Sequence, residues 1–64
     1  MKRKELIKWL ILNGCILERE GSKHTVFYNP ESNQSSTVPR HIEINTFTAR
    51  GICESLKIPV IKMK

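Results

Sequence analysis

Two histidines in this chain each directly follow a cation, one after a turn and one at the end of a strand. One stands in Gly21-Ser22-Lys23-His24, just before Thr25-Val26-Phe27. The other closes Val38-Pro39-Arg40-His41. Histidine accepts or donates a proton near neutral pH, and the cations beside it bind phosphate. These residue types suit metal-free cleavage of RNA. One group takes the proton of the 2′-hydroxyl, a second protonates the leaving 5′-oxygen, and cations stabilise the phosphorane. The plainer reading of His24 is an exposed strand histidine without a role, and of His41 a turn or capping residue. Ser22 is not read as a nucleophile, because nothing here makes a Ser-His-acid set with an oxyanion hole. A metal nuclease needs clustered carboxylates, whereas the six acidic residues are scattered glutamates. The two cysteines show no zinc spacing, and neither a metal nor a cofactor is expected.

The elements that must position these residues follow from periodicity. Residues 3–13 read as a helix in which Leu6, Trp9, Leu10 and Asn13 share a face, and Gly14 stops it in the left-handed conformation. Lys2, Arg3, Lys4 and Lys8 crowd its first turns, where the helix dipole disfavours cations; they make a solvated face or a positive end put to use. Ile7, Ile11 and Leu12 exceed what one core face needs. They cover a second helix or form a patch for a protein partner. Residues 15–20 read as a strand, with Cys15, Leu17 and Arg19 alternating with Ile16, Glu18 and Glu20. After the Gly21-Ser22 turn, residues 23–29 read as a second strand. Alternation turns His24, Val26 and Tyr28 outward and Thr25, Phe27 and Asn29 inward. Residues 29–36 are a polar turn, and 36–39 a short strand that Pro39 ends or confines to an edge. Asn45 caps a helix over 46–57 with a core stripe of Ala49, Ile52, Cys53 and Leu56. Gly51 within it suggests close packing, Pro59 blocks further helix, and 60–64 form a basic tail. The expected fold is α+β, ordered α-β-β-β-α. A three-stranded antiparallel sheet carries both helices on one face, as in double-stranded-RNA-binding domains.

Sixty-four residues make one domain, 1–64, with a single helix layer on a single sheet layer. A site in so small a chain is shallow, and its substrate must bring reactive groups of its own. RNA does, through its 2′-hydroxyl. Eleven lysines and arginines against six acids give a net charge of +5, which favours a polyanionic partner. The apolar run Leu6–Leu12 is interrupted by Lys8 and too short to span a bilayer, so no membrane association is expected. Reduced thiols in a cytoplasmic protein are expected.

The chain resembles the HicA toxin family over nearly its whole length. The resemblance rests on Lys4-Glu5-Leu6, Trp9-Leu10 and Gly14, on Gly21-Ser22-x-His24 and Val38-Pro39-Arg40-His41, and on Thr48, Arg50 and Ile52 in the closing helix. It implies a double-stranded-RNA-binding-like fold and the toxin half of a type II toxin–antitoxin module. It also implies a metal-independent endoribonuclease that cuts mRNA with a strand histidine, and a HicB-type antitoxin that masks that histidine. Carried over by position, His24 is the catalytic general acid or base. The sequence departs from the family pattern twice. Lys23 holds the place where histidine often follows Gly-Ser, and Lys57 replaces a glycine common near the end of the closing helix. Ser22, Lys23, Tyr28, Arg40 and His41 are the expected RNA contacts, and the free toxin is expected to be a monomer. Two other readings remain open at this point: a non-catalytic RNA-binding module of the same fold, and a protein-interaction domain that works through Ile7, Ile11 and Leu12.

Overall fold

The computed structural model of the chain describes residues 1–61; the end of the basic tail, 62–64, lies outside them. Five elements follow one another: α1 (Arg3–Leu12), β1 (Ile16–Glu20), β2 (His24–Asn29), β3 (Gln34–Pro39) and α2 (Thr46–Ser55). The strands form one antiparallel sheet in the order β1-β2-β3, with β2 in the centre.

The helices form for local reasons and are held by packing. In α1, Leu6 and Leu10 lie one turn apart and are fully buried. Trp9 and Asn13 flank them half-buried. The Trp9 indole N–H donates to the Pro59 carbonyl at 2.8 Å, tying α1 to the chain beyond α2. In α2, the Asn45 side chain accepts the Phe47 N–H at 2.8 Å, satisfying one orphan donor of the first turn. The stripe Ala49, Ile52, Cys53 and Leu56 is buried as the spacing predicts.

Both helices end in the same way. Beyond α1, the Gly14 N–H bonds the Ile11 carbonyl and the Cys15 N–H bonds that of Leu10, with Gly14 at φ +89°. Beyond α2, the Lys57 N–H bonds the Glu54 carbonyl and the Ile58 N–H bonds that of Cys53, with Lys57 at φ +59°. Both are Schellman turns, which glycine enters without strain and lysine does not. The missing glycine therefore does not prevent termination; the burial of Leu56 and Ile58 fixes the turn in spite of the lysine. Lys57→Gly is expected to stabilise the domain by roughly 0.5–1 kcal/mol. Urea titration reads this as a raised midpoint at unchanged slope, and a lowered midpoint would contradict it.

Gly51 is a correction. No heavy atom lies within 4 Å of where its Cβ would stand, so close packing does not account for it. Gly51→Ala should raise stability by about 1 kcal/mol, because alanine fits the open helix surface and restricts the unfolded chain. Thermal melting of the two proteins decides it; an equal or lower Tm counts against the reasoning.

In the sheet, Thr25, Phe27 and Asn29 are buried, while His24 is exposed and Val26 and Tyr28 are half-buried on the opposite face. Phe27 and Val38 join Leu6, Leu10 and the α2 stripe in one core, so both helices lie on the inner face. Strict alternation fails in β1. The register shifts between Leu17 and Arg19, leaving Arg19 opposite Val26 and Glu20 opposite Thr25. An extra residue at Glu18 makes a bulge and reverses the faces beyond it. Arg19 therefore shares the outer face with Ile16, and Glu20 joins the inner side with Leu17. β3 also begins two residues earlier than the sequence suggests, because Gln34 and Ser35 continue its ladder with Asn29 and Tyr28. On α1, Ile11 and Leu12 are 60% and 77% exposed and do not cover α2; Ile7 packs half-buried against the core.

Candidate active site

His24 opens β2 directly after the Ser22-Lys23 turn. The Gly21 N–H closes that turn on the His24 carbonyl at 2.8 Å. A Cβ on Gly21 would stand 3.0 Å from the same carbonyl oxygen, so the glycine lets the backbone fold closely against the histidine. Across the ladder His24 pairs with Pro39. Proline donates no N–H, and the chain leaves the sheet there, carrying Arg40 and His41 past the start of β2. Lys23, His24, Pro39, Arg40 and His41 line one shallow depression. A second, lined by Arg19, Gly21, Ser22, Lys23, His24, Val26 and Thr37, lies on the outer face of the sheet. The exposed His24 belongs to both.

A relay of polar contacts fixes the cations around it. An Arg40 Nη2 donates to Glu20 Oε1 at 2.7 Å. The Thr25 hydroxyl donates more weakly to the same oxygen at 3.4 Å. That hydroxyl accepts from Arg3 Nη2 at 2.9 Å, and Arg3 Nε donates to the Pro39 carbonyl at 2.8 Å. Arg3, from the first turn of α1, thus braces the end of β3 against β2. The Arg40 hydrogen bond, reinforced by its charge, holds the Glu20 carboxyl below the usual carboxylate range. A lowered carboxyl stays ionised through neutral pH and loses its pairing only as acid carries the pH through the lowered value. Glu20 therefore stays ionised beside Arg40 across the neutral range, in a pair exposed on both sides.

Of the residues expected from sequence, Ser22, Lys23, Arg40 and His41 gather around His24. Tyr28 does not. It shares the outer face but lies four positions along β2, roughly 13 Å away at strand spacing. Its hydroxyl donates to the Asn33 side chain in the β2–β3 turn. Arg3, Arg19, Glu20 and Thr25 were not expected at the site. Arg3 bonds residues 22 and 36 positions away, which no local pattern reports, and the bulge concealed Arg19. The signal for Glu20 was its place beside the turn, directly opposite Thr25.

Cys15 and Cys53 are free and buried, and burial pushes both thiols up, away from nucleophilic use. Among the described residues no three His, Cys or Glu side chains cluster as a metal site requires, and no helix is long and apolar enough to cross a membrane.

Fold and site together define a small basic α+β domain that holds an exposed histidine among cations at the edge of an open sheet face. The family described as HicA toxin of bacterial toxin-antitoxin matches residues 3–58. The chain belongs to the HicA toxin family, whose members are the toxin halves of bacterial toxin–antitoxin pairs and have a cognate antitoxin as partner. No curated protein and no solved structure matches it significantly.

Proposed function

We propose that this toxin is a metal-independent endoribonuclease that cuts mRNA at His24 and so arrests translation and growth. The observation that carries the reading is the position of His24: exposed, shared by two depressions, and flanked by Lys23 and Arg40. In the step proposed, the 2′-oxygen attacks phosphorus, the new O2′–P bond forms and the P–O5′ bond breaks. A base takes the 2′-hydroxyl proton, an acid returns one to the 5′-oxygen, and a 2′,3′-cyclic phosphate remains. His24 fills one of these roles, and His41 or water the other. Arg40 and Lys23 neutralise charge on the phosphorane, with Ser22 as a further RNA contact. Tyr28 supports RNA only where a strand runs up the outer face.

The antitoxin acts by covering His24, and the free toxin works as a monomer in the cytoplasm, where its two thiols stay reduced. The test is direct. Induced expression of the chain is expected to arrest growth and fragment bulk mRNA, and the purified protein to cut RNA in excess EDTA, leaving cyclic-phosphate ends. Folded protein that binds RNA with steep salt dependence but never cuts it would identify a binding module instead.

A further inference from the structure

Arg40 lines a second, larger depression besides the one at His24. Its volume is about 590 Å³, and Lys2, Arg3, Lys4, Ile7 and Ile42 line it with Arg40. The chain before α1 runs beside the segment after β3: Lys2 bridges Glu43, and the Arg3 N–H donates to the Ile42 carbonyl at 2.9 Å. This pairing forms the depression and carries four cations into it from two parts of the sequence. Arg3 is fixed by Pro39 and Thr25, and Arg40 by Glu20. Lys2 and Lys4 are exposed and, among the described residues, in no ion pair. The nearby Glu43 carboxylate instead meets the terminal ammonium at 3.8 Å. The walls are not wholly polar, since Ile7 is half-buried and Ile42 is 80% exposed.

Cations beside an exposed apolar surface suit a nucleotide better than a bare phosphate. The phosphodiester takes the charges, and the ribose or base rests on the isoleucines. Arg40 lines this depression and the one at His24, so a strand crossing His24 toward Arg40 continues into it. We propose that the depression is an RNA subsite for the nucleotide next to the cleaved one, its phosphate held by Arg3 and Arg40 with Lys2 and Lys4. The proposal rests on the ribonuclease reading for the word "cleaved", and its test does not.

The test is binding of a 2′-O-methyl RNA hexanucleotide, which lacks the attacking hydroxyl, to the native chain and to Lys2→Ala/Lys4→Ala. Both lysines are exposed, and circular dichroism checks the fold. The double variant is expected to bind about ten-fold more weakly near ~100 mM salt, and its slope of log affinity against log salt to fall by about 1.4, the value for two single-strand phosphate contacts. On cleavable RNA, KM rises and kcat holds. Unchanged affinity and slope would overturn the subsite while leaving His24 untouched. Unchanged RNA binding with loss of the antitoxin would make the depression a protein contact and also overturn it. The expected loss of binding in a protein that never cuts RNA keeps the RNA subsite and removes the ribonuclease reading.

Discussion

Truncating His24 to alanine should leave a folded protein that binds RNA and does not cut it. The imidazole contributes nothing to the core: His24 is exposed at the first position of β2, and that strand's buried residues are Thr25, Phe27 and Asn29. Stability should therefore stay within about 0.5 kcal/mol of native, as for other surface substitutions. Affinity for uncleavable RNA should also hold, because Lys23, Arg40 and the cations beyond them supply the phosphate contacts. A positioned general acid or base is worth on the order of 10²–10⁴-fold in rate, so cleavage should fall by that much while KM stays close to native. The same loss should abolish growth arrest. A folded variant that cuts at the native rate would remove His24 from the mechanism. Equal loss of binding and cleavage would reduce it to a phosphate contact.

What could be read from the sequence was what neighbouring residues decide. The alternation of His24 to Asn29 put the histidine outward because each inward position carries a side chain that the core or a hydrogen bond can use. Asn45 and Gly14 marked helix ends because each satisfies backbone groups within a few residues of itself. Elsewhere, pairing between strands overrode the local pattern. The bulge at Glu18 exists only opposite β2, so β1 alone could not reveal that Arg19 and Glu20 change faces. β3 reached back to Gln34 because ladder bonds hold an edge strand that has almost no apolar residues to signal it. The relay from Arg3 through Thr25 and Glu20 to Arg40 joins α1 and all three strands or their flanks. The depression behind it is likewise a product of tertiary packing. Charge in the first turns of α1 was plain from composition; its nearness to His24 was not.

The largest effect on stability is expected at Asn29, which fastens α2 to the sheet. The residue is 3% exposed, and its side-chain amide donates to the Leu56 carbonyl at 2.7 Å. Leu56 caps α2, so this carbonyl is one of the helix's unpaired acceptors, and Ser32 also reaches it at 3.1 Å. The amide oxygen meanwhile accepts the Glu31 N–H at 3.0 Å and shapes the β2–β3 turn. Asn29→Asp keeps the shape and the acceptor but replaces the donor with a carboxylate. That charge would be buried against a carbonyl at the negative end of α2. The loss should be about 3 kcal/mol at pH 7. A domain of this size has about 3–10 kcal/mol in total by per-residue averages, so the variant loses a third or more of its stability. The pH dependence separates charge from shape. Burial raises the new carboxyl above its unfolded value, so the penalty is full where both states are ionised. It shrinks as the pH falls through the raised folded value, where the protonated acid can donate to Leu56. Urea titrations of native and variant at pH 7 and near pH 4 should therefore show the gap between them narrowing in acid. A gap that stays constant would mean that lost geometry, not buried charge, sets the penalty, and that Asn29 matters for its turn and not for its hold on α2.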